Sequence, residues 1–426
     1  MRAFLLLLLL CSNGCVQMAE NETPMQDGPV NAVEDLQTRA RRIHDAALTI
    51  DSHVDIPFTF ATEAADPGVR GAWQVDIPKM IEGGLDAAFF IVYVGQGERN
   101  AEGYAFARTQ AMRKFEAIHR MTRTYPDRIE LAYSPGDVER IAASGKRVAA
   151  IGIENGWVIG RDLDLIETYH GLGARYVTLA HNGHNDIADS ASSNTPEHDG
   201  ISVFGGRVIE EMNRVGMMID VSHLSRAAML DAVRLSRSPV IASHSGVRAL
   251  RDVPRNLDDE QLRALAAEGG VVQLVALGDF VKSDAEREAA LAALREELGM
   301  PAGAMTPQRL ERMSEAAQAD YAGKNVLFEE RAAAIDARFP PTGVVDFVDH
   351  VDYAVGLIGI DHVGISSDFD GGGGLEGWNH AGETFNVTLE LVRRGYSEQD
   401  IRKLWGQNLL RVWRETDRLA AELQSR

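Results

Sequence analysis

Short apolar stretches recur along this chain, separated by turn residues and by segments with helical spacing. The first runs from Ala46 to Ile50 and reads as a buried strand that ends in His53 and Asp55. Seven more follow, at 87–94, 148–154, 176–181, 217–223, 239–244, 271–276 and 362–368. Each is short, mostly apolar and rich in Val and Ile, as strands covered on both faces are. Between them the apolar spacing becomes helical, over 104–121, 162–172, 206–215, 225–236, 258–268 and 344–357. Ser225 and Asp258 stand where N-caps belong. Strands alternating with helices predict a parallel α/β fold, and eight repeats favour a closed (β/α)8 barrel in a single domain. The alternative is an open doubly wound sheet. No Gly-rich phosphate loop follows the first strand, which weighs against it.

Three segments stand apart from the repeat. Residues 284–338 are rich in Ala, Glu and Arg and read as a helical insertion between the seventh and eighth strands. Its charges suit a solvated helix face, with a lid or a dimer contact as the second reading. Residues 397–426 read as amphipathic helix packed on the outside. Residues 1–15 read as an export signal, with Arg2 ahead of an apolar core, Leu5 to Leu10, that is too short to span a bilayer. The only cysteines are Cys11 and Cys15, so disulfides do not hold the mature domain together. Ser12 to Cys15 resembles a lipid-attachment box except at Ser12, so a lipid anchor at Cys15 is an open expectation. Residues 16–33, with Pro24 and Pro29, read as a polar tether before a domain at 34–426. The expected place is the bacterial periplasm or envelope, without a transmembrane helix in the mature chain, and the expected assembly is a homodimer. The net charge of −20 disfavours nucleic acid or an anionic membrane as partner.

The candidate chemistry sits at strand ends. His53 and Asp55 are two apart on a strand and project to the same side. One such pair is more often a solvated strand end than a metal site. Glu154, His181, His223, His244 and Asp368, however, end the third, fourth, fifth, sixth and eighth strands. All then converge on the barrel face where active sites lie. The set points to metal-assisted hydrolysis. Its ligands exceed what one catalytic zinc requires, so Glu154 reads as a bridge between two metals. One metal takes His53, Asp55 and Glu154; the other takes Glu154, His223 and His244. His44, His119, His170 and His350 fall in helical stretches, and His362 lies at the wrong end of its strand. His184, His198 and His380 fall in loops, where a place at the pocket rim is open.

These residues carry a resemblance. Asp51–Pro57, Ile153–Gly156, Gly173–His181, Ile219–His223, Pro239–Ser245, Val253–Asn256, Gly364–Gly371 and Gly406–Trp413 resemble, in order, segments of the membrane (renal-type) dipeptidase family of zinc peptidases, family M19. The resemblance implies the barrel, a site of two Zn2+ with Glu154 bridging, and hydrolysis of dipeptides by a metal-bound hydroxide attacking the peptide carbonyl. It implies that His181 and Arg255 bind substrate or the tetrahedral intermediate, and that Asp368 handles the proton. The chain departs from the family at Asn155, where Gly is usual, in the loop 182–189, and in the insertion 284–338. These positions bear on substrate choice. The competing readings are another two-metal amidohydrolase, such as an N-acyl amino acid deacylase or a lactonase, and a non-catalytic binding protein. The complete ligand set argues against the last.

Overall fold

The computed structural model describes residues 34–302, 305, 309–310 and 313–426. The leader, Cys15 and the tether lie outside the described residues. The chain starts its repeat with a helix, Leu36–Ala46, and then enters β1 (Ile50–Asp55). The apolar run at 46–50 therefore divides between a helix end, a link and a strand start, rather than forming one strand. Ala40 and Ile43 are buried on one face of that helix, and Ala47 continues the face past its end.

The remaining strands are β2 (Ala87–Tyr93), β3 (Ile129–Leu131), β4 (Arg147–Glu154), β5 (Ala174–Thr178), β6 (Met218–Asp220), β7 (Ile241–Ser245), β8 (Val271–Val275) and β9 (Val363–Ser366). Eight of them pair in parallel in the order β1-β2-β4-β5-β6-β7-β8-β9. β1 comes back to the last strand through a bridge between Val54 and Phe369, where Asp55 N–H donates to Phe369 O at 2.9 Å. The result is a nearly closed parallel barrel with alternating helices. β3 is an addition the pattern did not predict. It holds the edge of β4 at Arg147–Ala149, and β5 takes over that edge from Ile151.

The expected helices are present as Ala101–Thr124, Asp164–Gly171, Val203–Val215, Arg226–Leu235, Asp259–Ala267 and Val344–Ile358. Ser225 caps one by accepting from Ala228 N–H, and Asp258 forms a capping box with Gln261. The insertion lies between β8 and β9 and includes the helices Ala285–Glu297 and Glu315–Arg338, which share a small core of Leu291, Leu294, Met300, Phe328 and Ala332.

Alternation sorts the strand residues into two cores. In β2, Ala88, Phe90 and Val92 pack outward among the helices, while Ala87, Phe89 and Ile91 belong to a second core with Val148, Ala150, Met218, Ile241 and Val271. Ala87, Met218, Ile241 and Val271 are the first residues of their strands and Val148 the second of its own, so the second core fills the N-terminal end of the barrel. The helix Asn408–Gln424 closes that end. Trp413 lies with its ring 5.8 Å from Phe89, and Asn408 donates to Ile360 O and Val363 O at 2.7 and 2.8 Å.

Parity alone would misdirect two strands. Ile50 belongs to the inner core, yet so do the directions of His53 and Asp55, while Val54 packs outward. A register shift between Asp51 and Val54 reconciles them, and β7 carries a matching shift between Ala242 and Ser245. Such irregularities re-aim side chains, here turning both His53 and His244 inward.

Trp413→Ala empties the aromatic base of the barrel. It is expected to cost about 3–5 kcal/mol, the range for large-to-small aromatic changes in cores. Urea unfolding of the variant against the parent protein measures it, and a loss well under that range would mean that Trp413 does not plug the barrel.

Candidate metal centre

Glu154 ends β4 and keeps the inward parity of Val148 and Ala150. His244 lies within β7, and His53 and Asp55 within β1. His181, His223 and Asp368 do not end strands as expected; each lies two or three residues further on, in the turn that follows β5, β6 or β9. The backbone explains the difference. His223 and Asp368 have φ of 68° and 57°, left-handed values that stop a strand and swing the side chain over the barrel mouth. Before His181, the carbonyl of Leu179 is taken by the Asn185 side chain at 2.8 Å, so pairing ends early. Close approach also requires a glycine. A Cβ at Gly371 would stand 2.4 Å from both Asp55 Oδ2 and Asp368 Oδ1.

The eight expected site residues come together. Glu154 Oε1 lies 3.0 Å from His223 Nε2, 3.3 Å from His244 Nε2, 3.7 Å from His181 Nε2 and 3.8 Å from His53 Nε2. His53 Nε2 is also 3.6 Å from Asp55 Oδ2 and 4.0 Å from Asp368 Oδ1. Ligand-capable atoms group within 4.8 Å as His53–Glu154–His244, Glu154–His181–His223 and His53–Asp55–Asp368. His181 and Asp368, expected to serve the substrate, thus stand at the same spacing as the expected ligands.

The electrostatics describe a site short of positive charge. Burial pushes the His53 imidazole down, but Glu154, Asp55 and Asp368 outweigh it and raise the group to about 9. Burial raises Glu154 to about 8 and Asp368 to about 7, against the pull of His53. Burial and the nearby Arg255 lower His181 to about 3 and hold His223 well below the usual imidazole range. Burial also lowers Arg255, to about 10, so it stays a cation at neutral pH. His53 Nε2 is buried and makes no hydrogen bond. Buried imidazole nitrogens that face carboxylates without a partner suit a divalent cation such as zinc.

All of these but the fully buried His53 line one cavity of ≈ 470 Å³, a size that suits a small substrate. Arg255 reaches it from the loop after β7, bonded to His244 O at 3.1 Å and lying 5.4 Å from the Phe280 ring centre. Its Nε is buried without a hydrogen bond. The sequence pattern did not single out Tyr93, Leu277 and Phe280 as lining residues, whereas Asn182 and Arg309 fall in the loop 182–189 and the insertion 284–338, the segments expected to bear on substrate choice. Tyr93 was available: it ends β2 in the inward parity of Phe89 and Ile91. Arg309 comes from the insertion, which therefore reaches the cavity rather than standing as a wholly solvated face.

Comparison with known proteins gives a consistent result. The family model for membrane dipeptidase (peptidase family M19) matches residues 37–426. The dipeptidase tcpJ of Claviceps purpurea is 30% identical over 355 residues, covering 82% of this chain and 71% of its own. The dipeptidase aclJ of Aspergillus oryzae is also 30% identical over 355 residues, with coverages of 82% and 72%. Among solved structures, the probable dipeptidase PvdM from Pseudomonas aeruginosa has a TM-score of 0.76 and 32% identity, covering 90% of this chain and 99% of its own.

Metal binding is expected to release protons at pH 7. Ligation requires neutral His53 and ionised Glu154, and without metal these groups hold protons up to about 9 and about 8. Apparent affinity should therefore rise with pH through that window and level off above it. Calorimetric zinc titrations in two buffers of different ionisation enthalpy measure the release, and identical heats at pH 7 would exclude these groups as ligands.

Proposed function

This chain belongs to the membrane dipeptidase family and is a hydrolase of that kind, and on that premise we propose that it hydrolyses dipeptides with a pair of zinc ions bridged by Glu154. The observation that carries the reading is the position of Glu154 Oε1, buried with four imidazole nitrogens between 3.0 and 3.8 Å away. His53, Asp55 and Glu154 would hold one ion; Glu154, His223 and His244 would hold the other. When bound, such ions lower the pKa of water towards neutrality and polarise a carbonyl.

The chain's own residues supply the remaining steps. Arg255 keeps its charge in a buried setting and has donors to offer a C-terminal carboxylate, which it can grip through two parallel bonds. His181 is neutral at working pH, and Tyr93 Oη stands 3.5 Å from its Nδ1. A proton on His181 Nε2 can then meet the oxygen on which charge develops as the carbonyl is attacked. Asp368, held near neutrality at about 7, can accept a proton from the attacking water and return it to the leaving amine. Export through the leader at 1–15 and a homodimer complete the reading, and lipid attachment, which would instead make Cys15 the first residue of the mature chain, is the alternative form of the N-terminus. Mass analysis of the mature N-terminus and light scattering test them. Among the described residues, no helix is long and apolar enough to cross a membrane.

The direct test is metal analysis with a panel of L,L, L,D and N-acetylated dipeptides. Cleavage of free dipeptides by protein carrying close to two zinc ions supports the reading. Equal rates on N-acetylated substrates would favour a deacylase instead.

Glu154→Ala is expected to lose both ions and all activity together. Retention of one tightly bound ion with normal turnover would refute the bridge. Asp368→Asn keeps the shape but removes the base. It should keep its metals and lose kcat by about 10²–10⁴-fold, the usual share of general acid–base catalysis. A zinc-depleted Asp368→Asn protein would make Asp368 a ligand.

A further inference from the structure

Below the candidate centre the barrel interior turns polar. Asp220 ends β6 two residues after Met218 of the inner core, so it also points inward, and it is fully buried. Its carboxylate accepts four hydrogen bonds. Oδ1 takes the N–H groups of Ser222 at 3.0 Å and Ser243 at 2.8 Å. Oδ2 takes the hydroxyls of Thr178 and Ser243, the latter at 2.6 Å. An ionised carboxylate only accepts, so the Ser243 hydroxyl proton is committed to it.

Ser243 Oγ also lies 2.8 Å from His244 Nδ1. With its own proton already donated, Oγ has only lone pairs to offer, and Nδ1 must carry the imidazole proton. His244 Nε2 then turns a lone pair towards Glu154 and His223. His53 is treated in the same way. Tyr176 Oη donates to Ser52 O at 2.9 Å and therefore accepts from His53 Nδ1 at 3.0 Å. His223 has no such partner, because its Nδ1 is buried without a hydrogen bond.

We propose that Asp220 and Ser243 are positioning residues that fix His244 as its Nδ1–H tautomer and so hold Nε2 open as a metal ligand. The inference rests on the two-ion reading above and concerns only the ion shared with His223. Partners behind a ligating histidine set its tautomer and basicity, and their loss typically weakens metal binding by about 10–100-fold.

An isosteric change separates positioning from mere packing. In Asp220→Asn, the side opposite Ser222 and Ser243 N–H must remain the amide oxygen. The amide nitrogen then faces the two hydroxyls and donates to Ser243 Oγ. The Ser243 proton is released towards His244 Nδ1, and the imidazole proton moves to Nε2, the atom needed by the metal. Ser243→Ala only leaves Nδ1 without a partner. The shape-preserving Asn change should therefore damage the site more than the truncation.

Metal-free full-length protein and both variants are titrated with zinc against a chromogenic chelator, and with cobalt by visible absorption. In each variant one ion is expected to bind as in the parent protein and the other about 10–100-fold more weakly, with Asp220→Asn the weaker of the two. The cobalt bands of one site should shift while the other site's remain. The unfolding midpoint of each metal-free variant should stay close to that of the metal-free parent. Unchanged affinity and unchanged cobalt bands in both variants overturn the proposal, as does weakening that only follows a fall in the metal-free midpoint. A parent protein that binds a single ion overturns the two-ion reading alone. The positioning role then falls only if that ion binds equally well to both variants.

Discussion

A carboxylate taken out of water is costly unless opposite charge or donors meet it, and Glu154 is almost wholly buried at the centre of the barrel mouth. Much of the surrounding structure follows from that constraint. Four imidazole nitrogens approach a single oxygen of it, and Arg255 adds a buried cation nearby. Asp55 and Asp368 bring further negative charge within 4.0 Å of His53. The carboxylates raise His53 and burial raises Glu154, so the cluster favours holding protons, and a divalent cation would balance its charge better. The same crowding dictates Gly371, where any side chain would strike two carboxylates.

The barrel is divided along its axis to support this mouth. Its N-terminal end is filled by Phe89, Ile241, Val271 and their neighbours and closed by Trp413. Its middle carries Tyr176, Thr178, Asp220 and Ser243, each hydrogen-bonded. Its mouth carries Asn155, His223, Asp368 and Asp370, all with positive φ. Backbone in sparsely populated regions costs of order 1–3 kcal/mol per residue and persists only where the surroundings impose it. The packed base and the hydrogen-bonded middle layer are those surroundings. Asp370, for example, is fixed by Gln74 and Val75 N–H donating to its carboxylate and by its own N–H donating to the Gln74 side chain.

How much of this could be read from the sequence follows the same division. Eight strands, their order and seven of the side chains that gather at the barrel mouth were legible, because buried parallel strands write continuous apolar runs and the barrel rule places function at their C-terminal ends, whereas Arg255, in the loop after β7, stood on the family resemblance. Strand ends were not legible. Leu179 and Val221 are as apolar as strand residues, but Asn185 captures one carbonyl and a left-handed His223 turns the other chain away. The two register shifts left no mark either, since Asp51, Ser52 and Ser243 read as ordinary polar residues. The departure at Asn155 has a physical account. Its φ is 78°, a value Asn tolerates better than most residues, and its side chain bonds Val94 O and Trp157 N–H. Only the next position must stay glycine, because a Cβ on Gly156 would stand 2.8 Å from Leu179 O.

The elements that supply the cavity differ in what a change there would disturb. His53, Asp55, Glu154 and His244 lie on strands, and His223 and Asp368 in tight turns directly after them. Moving any of these means moving the barrel. Asn182, Phe280 and Arg309 come instead from the loop after β5, a short helix after β8 and the insertion. The insertion packs around its own small core of Leu291, Leu294, Met300, Phe328 and Ala332. Its length and composition can therefore vary without touching the strands that carry Glu154. Departures from the family pattern at 182–189 and 284–338 fall on this side of the division. The candidate metal ligands are fixed by the barrel, while part of the cavity rim is built from segments that can change independently of it.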